Sequence, residues 1–141
     1  MTEPAPSAQD ANLARRVPRR ILLAEDDPTN RAVAVRILEN LGYAADVATN
    51  GREAVDAAAG QPYDVILMDV QMPELDGLSA TRQIRETATD KTRPYIICVS
   101  ANATDGDKQA AADAGMDDYV SKPISPDGLA AALERSASVT R

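Results

Sequence analysis

Three short apolar runs in this chain stop abruptly at a polar residue. Ile21-Leu22-Leu23-Ala24 gives way to Glu25-Asp26-Asp27, Val65-Ile66-Leu67-Met68 to Asp69, and Tyr95-Ile96-Ile97-Cys98-Val99 to Ser100. A weaker run, Tyr119-Val120-Ser121, ends at Lys122-Pro123. Such lengths suit buried strands, and parallel strands covered on both faces read as unbroken apolar segments. The stretches between them read as helices. Asp27 suits an N-cap and Pro28 a first helical turn. Val33, Ala34, Ile37, Leu38 and Leu41 are expected on one helical face, and Gly42 fits the position that ends the helix. The same grammar repeats down the chain. A weak strand at 44–48 precedes a helix over 51–59, stopped by Gly60 and Pro62. A strand at 64–68 precedes a helix over 78–86 and a polar loop over 87–93. A strand at 95–99 precedes a helix over 104–114, weakened by Gly106 and closed at Gly115. A strand at 118–121 precedes a last helix, capped by Ser125 or Asp127 and running to residue 137. Five strands alternating with five helices imply an α/β fold, a doubly wound parallel sheet with helices on both faces. Periodicity does not choose its strand order.

Composition narrows the chemistry. The chain has 141 residues, enough for one domain with a real core. With four tyrosines, no Phe and no Trp, that core is aliphatic. The complete lack of histidine excludes a Ser-His-Asp triad, a Cys-His pair, His-ligated zinc and a phosphodonor histidine in this sequence. The single cysteine, Cys98, excludes an internal disulfide and reads as an inert core thiol. A net charge of −7 disfavours nucleic acid as a partner. No apolar run approaches a membrane span and no secretory leader is evident, so a cytoplasmic location is expected. Residues 1–18 read as a flexible tail or linker, residues 19–138 as the folded domain, and residues 139–141 as a C-terminal tail. The tail is set apart by charge: residues 1–20 hold four arginines against Glu3 and Asp10, leaving the remainder at −9.

In a doubly wound sheet, ligands bind beyond the carboxyl ends of the strands. The residues at those ends are Glu25 and Asp26, Asp69, Ser100, and Lys122. Three neighbouring carboxylates repel one another, and a hard divalent cation relieves the repulsion. Mg²⁺ accepts such a site, because it takes oxygen ligands and keeps several waters. Lys122 can pair with a carboxylate at rest and with a phosphate when one arrives. Ser100 offers a hydroxyl of the right reach for a phosphoryl oxygen. An aspartate carboxylate can attack phosphorus to form an acyl phosphate, while metal and lysine neutralise the oxygens. No separate base is required, since the nucleophile is already ionised.

These residues resemble the response-regulator receiver domains of two-component signalling. The resemblance rests on Ile21-Leu22-Leu23-Ala24-Glu25-Asp26-Asp27, on residues 65–77 from Val65 through Asp69 to Asp76-Gly77, on Val99-Ser100-Ala101, and on Tyr119-Val120-Ser121-Lys122-Pro123. It implies a flavodoxin-like (β/α)5 fold with strand order 2-1-3-4-5 and a cis peptide at Lys122-Pro123. It implies that Asp69 is the phosphoacceptor. Glu25, Asp26, Asp69 and the backbone carbonyl of Gln71 would hold Mg²⁺, with Mn²⁺ expected to substitute. Lys122 and Ser100 would bind the phosphoryl group, together with the backbone of Val70 and Ala101. Ser100 and Tyr119 would form the switch, and Gln71 and Asn102 would tune the acyl-phosphate lifetime. The implied partner is a histidine kinase or histidine phosphotransfer protein. The implied role is a signalling switch that catalyses its own phosphorylation and hydrolysis, not an enzyme. Phosphorylation would change the face formed by the fourth helix, fifth strand and fifth helix, a face that also suits a homodimer. Gly106 favours remodelling of that fourth helix. With no effector segment after the last helix, the chain is expected to be the receiver of a hybrid histidine kinase or a single-domain regulator.

Other residues carry plainer expectations. Asp27 and Asp76 read as helix caps, and Met68 and Met72 as packing. Asp105, Asp107 and Lys108 read as a solvated helix face, and Asp117 and Asp118 as turn acids. Two departures from the family pattern stand out: Glu25 where many members have Asp, and Ser100 where many have Thr. Three rival classes are weaker. A haloacid-dehalogenase-type phosphatase wants an acid two residues past the nucleophile, where this chain has Gln71. A flavodoxin-like FMN protein wants a hydroxyl- or glycine-rich loop where this chain has Glu25-Asp26-Asp27. A receiver-like module that is never phosphorylated has no need of an intact acid cluster and lysine.

Overall fold

The computed structural model describes residues 13–88, 93–101 and 104–137. The elements run α1 (Leu13–Arg16), β1 (Ile21–Ala24), α2 (Pro28–Asn40), β2 (Ala45–Ala48), α3 (Gly51–Gly60) and β3 (Val65–Asp69). They continue with α4 (Gly77–Thr87), β4 (Tyr95–Ser100), α5 (Asp105–Ala114), β5 (Asp118–Ser121) and α6 (Pro126–Ala137). The five strands form one sheet in the order β2-β1-β3-β4-β5 with every pairing parallel, the architecture expected from the resemblance. The register aligns Ala24 with Met68 and Asp69 with Val99, so the carboxyl ends of the central strands finish side by side.

Alternation along each strand divides the interior into two cores. Ile21, Leu23, Val65, Leu67, Ile97 and Val99 face α2 and α6, meeting Ala34, Leu38, Leu129 and Leu133. Leu22, Ala24, Ile66, Met68, Ile96 and Cys98 face α3, α4 and α5, meeting Ala54, Ala80, Ile84 and Ala111. Each fully buried aliphatic side chain contributes roughly 1.5–3 kcal/mol. With no Phe or Trp available, close contact depends on small helix residues that let the helices approach the sheet.

Capping follows the sequence reading. Asp27 accepts from the Asn30 amide at 2.8 Å, Asp76 from the Ser79 amide at 2.7 Å, and the Ser125 hydroxyl from the Gly128 amide at 3.0 Å. Gly42 and Gly115 adopt φ of 96° and 105°, the left-handed conformation that ends α2 and α5. The Lys122-Pro123 peptide is cis.

Two expectations are corrected. Val33 does not join the buried face of α2; it is 46% exposed, because it lies one helical step outside the stripe formed by Ala34, Ile37, Leu38 and Leu41. The packed structure also begins before residue 19. Leu13 in α1 is 1% exposed and joins the core with Val17, while the Ala14 amide bonds to the Leu41 carbonyl at 3.1 Å and the Tyr43 hydroxyl to the Val17 carbonyl at 2.5 Å. An i, i+4 pair of apolar residues suffices to dock a single helical turn, but is too short to register as periodicity. Asn102 and residues 1–12 and 138–141 lie outside the described residues. No described helix is long and apolar enough to cross a membrane.

Candidate functional site

The strand ends open onto a cleft of about 760 Å³. Glu25 and Asp26 follow β1, Asp69 ends β3, and Lys122 follows β5; all four line it. Its outer wall is the segment from Val70 to Pro73 with Asp76. Ser100 closes β4, is buried, and its carbonyl accepts the Lys122 amide at 2.8 Å.

Glu25 is 2% and Asp69 3% exposed, so two carboxylates are buried together. Lys122 Nζ bridges them, 3.0 Å from Asp69 Oδ1 and 3.2 Å from Glu25 Oε1. Burial by itself lowers the Lys122 ammonium. Hydrogen bonding to Asp69 and the field of Asp69 and Glu25 outweigh it and hold the group above the ordinary lysine range. Burial pushes the Glu25 carboxyl well above its usual value, and hydrogen bonding to Asp69 and repulsion from it add to the rise. The Asp27 amide, 3.1 Å from Glu25 Oε2, and Lys122 work in the opposite direction without overcoming it.

Glu25, Asp26 and Asp69 each offer an oxygen within 4.8 Å of the others. An all-oxygen, acid-rich and partly hydrated donor set suits Mg²⁺ rather than a softer metal. The excess of buried negative charge over the one ammonium is the electrostatic demand such an ion meets. These residues therefore fit the cation expected from the sequence.

The structure brings Glu25, Asp26, Asp69 and Lys122 together, with Ser100 at the adjoining strand end. Gln71 lies in the cleft wall and is exposed. The Val70 amide bonds to the Val99 carbonyl at 3.3 Å, a long contact at the sheet margin. Ala101 is exposed just past β4. Tyr119 already packs against the second core, and its hydroxyl is buried with no hydrogen-bond partner among the described residues. Lys108 Nζ stands 5.6 Å over the Tyr119 ring, so this lysine is not simply part of a solvated helix face. Sequence reading also misses Arg31, whose guanidinium donates to the Glu25 carbonyl at 3.3 Å and braces the acid turn from α2. The one available signal, a basic residue one turn into the helix after the acids, is too common to single out.

The profile of the response regulator receiver domain matches residues 21–134. Histidine protein kinase 1 of Candida albicans is 40% identical over 128 residues, covering 84% of this chain and 5% of that protein. Sensor histidine kinase GacS of Pseudomonas protegens is 37% identical, covering 89% of this chain and 14% of that protein. The chain thus spans only a small part of these relatives. Among solved structures, the receiver domain of sensor histidine kinase PA1611 from Pseudomonas aeruginosa, which has magnesium coordinated in its active-site cleft, superposes with a TM-score of 0.79 at 42% identity. That match covers 86% of this chain and 98% of that one. The receiver domain of Saccharomyces cerevisiae Ssk1, crystallised with the histidine phosphotransfer protein Ypd1, superposes with a TM-score of 0.78 at 26% identity, covering 84% and 88% of the two chains. Motifs, sheet order, acid cluster and relatives converge: this chain belongs to the response regulator receiver domain family, the phosphorelay modules of two-component signalling.

Proposed function

We propose that this domain accepts a phosphoryl group on Asp69 from a phosphohistidine of a histidine kinase or a histidine phosphotransfer protein. The observation that carries the proposal is the Lys122 ammonium bridging two buried carboxylates, Asp69 and Glu25, at the strand ends beside Asp26. Asp69, though largely buried, lines the cleft beside Lys122. In the transfer, a bond forms between an Asp69 carboxylate oxygen and phosphorus. The phosphorus–nitrogen bond to the donor imidazole breaks, and its electron pair returns to the ring nitrogen. Glu25, Asp26, Asp69 and the Gln71 carbonyl would hold Mg²⁺, and Mn²⁺ would serve in its place. Bound there, the metal would supply positive charge that offsets the phosphoryl oxygens. Lys122 turns from Glu25 toward a phosphoryl oxygen, and further donors come from the Ala101 amide and from the Val70 amide once it gives up its long bond to the Val99 carbonyl. The Ser100 hydroxyl moves to bond the new group, and Gln71 and Asn102 set how easily water reaches the acyl phosphate. The domain would thus catalyse its own phosphorylation and hydrolysis. Tyr119 and Lys108 would pass the change to the face formed by α5, β5 and α6. Exposed Val33, in a small groove with Pro123 and Ile124 beside Lys122, supplies apolar surface for the donor protein.

Incubation with acetyl phosphate and Mg²⁺, followed by intact-mass spectrometry, tests this reading. One added phosphoryl group is expected; it requires the metal and is absent from Asp69→Ala. Labelling that persists in that variant would overturn the assignment of Asp69.

A further inference from the structure

The segment that carries the outer wall of the cleft rests on the start of α3 through Leu75, and it does so at close quarters. A Cβ built on buried Gly51 would lie 1.9 Å from the Leu75 carbonyl oxygen and 2.7 Å from its carbon. These are backbone atoms, which cannot swing aside. The preceding residue, Glu74, which lies between the cleft-lining Pro73 and Asp76, sits at φ 67°, a left-handed conformation uncommon for a non-glycine residue. Its side chain accepts a hydrogen bond from Asn50 Nδ2 at 3.1 Å. Asn50 in turn is fixed as the N-cap of α3: its Oδ1 accepts from the Glu53 amide at 2.8 Å, and Glu53 reaches back to the Thr49 amide at 2.7 Å. A rigid helix start therefore grips the middle of the segment that joins Asp69 to α4.

We infer that Asn50 and Gly51 are positioning residues of the acceptor site. They act through Glu74 and Leu75 to hold the 71–76 segment, and with it the Gln71 carbonyl, against the acid cluster. Neither residue touches the cleft. The inference rests on the proposed Mg²⁺ and phosphoryl chemistry of that cleft.

Asn50→Asp separates this role from helix capping. The aspartate still accepts from the Glu53 amide, so α3 keeps its cap. It loses the donor to Glu74 and faces a like charge instead. Mg²⁺ titration by calorimetry and amide exchange over residues 71–76 are read side by side. The expected result is Mg²⁺ binding weakened about fivefold, the worth of one ordinary hydrogen bond, with faster exchange in the segment and a melting temperature lowered by no more than about 5 °C. The added negative charge alone would tighten cation binding, so weakening has to come through the segment. Asn50→Asp combined with Glu74→Gln restores a donor and acceptor in reversed order and is expected to recover both readouts. Gly51→Ala is expected to weaken Mg²⁺ about tenfold, as losses behind a metal site commonly do; should it fail to fold, the Asn50 and Glu74 variants carry the test. Mg²⁺ binding by Asn50→Asp as tight as wild type, or no recovery in the double variant, overturns the inference. A wild-type protein that takes up neither Mg²⁺ nor phosphoryl overturns the underlying reading instead.

Discussion

Tyr119 stands out among the described residues for an unsatisfied group. Its hydroxyl is buried without a partner among the described residues, while its ring lies beneath the Lys108 ammonium. An unsatisfied buried hydroxyl costs about 1–3 kcal/mol. Tyr119→Phe is therefore expected to raise the unfolding free energy by about 1 kcal/mol, read by urea denaturation, while leaving acetyl-phosphate labelling of Asp69 in place. A loss of stability would mean that the hydroxyl has a partner. Asp118 gives the pH dependence. Burial alone would raise its carboxyl, but hydrogen bonds from Arg135, the Tyr119 amide and Tyr95 outweigh it and leave the group below the ordinary aspartate range. A carboxyl depressed on folding stabilises the protein above its unfolded value of about 3.9. That contribution is lost as pH falls through the folded value. Asp118→Asn should accordingly flatten the acid limb of stability against pH below about 4; an unchanged limb would place the acid sensitivity elsewhere.

Elements differ in how openly the sequence announces them. Strands β1, β3 and β4 are legible because each is a buried apolar run closed by a polar residue, and that closure marks Glu25, Asp26, Asp69 and Ser100; the more polar β2 and β5 are fainter, and Lys122 stands out through the Lys122-Pro123 pair that follows β5. Caps at Asp27, Asp76 and Ser125 are legible because their chemistry is local. Contacts that join distant elements are not. Arg85 in α4 donates to the Gly115 carbonyl at 2.8 Å, the Pro94 carbonyl at 2.7 Å and Asp117 at 2.7 Å. One guanidinium thereby ties α4 to the start of β4 and the turn before β5. No spacing rule predicts it, since its partners lie 9 to 32 residues away. The planar fork is needed, so Arg85→Lys is expected to cost about 2 kcal/mol, measured by chemical denaturation. A loss under half that would show the tie to be redundant. Similarly, α1 and the seat of Leu75 on Gly51 depend on tertiary contact, which a linear pattern does not encode.

At the scale of the whole molecule, the sheet separates two cores, and the residues that join them are the strands themselves. Cys98 sits in β4, 1% exposed, and burial first, then the Asp69 and Asp107 charges, push its thiol up to about 12. It should react with a thiol reagent only when the sheet opens. Alkylation of Cys98 is expected to be slower than in urea-unfolded protein by a factor approaching the unfolding equilibrium constant, ~10³ or more for a domain of ordinary stability. Rapid alkylation under native conditions would mean that β4 opens independently of the rest. The arrangement of the chain ends has a different consequence. Arg19, just before β1, donates to Ser136, near the end of α6, at 3.2 Å. The approach to the first strand and the end of the last helix thus share one pole, and the strands carry the acids to the other. A domain wired in this manner is a cassette. It can be spliced into a longer polypeptide at that shared pole, with the host's bulk and motions kept a full strand length from the chemistry.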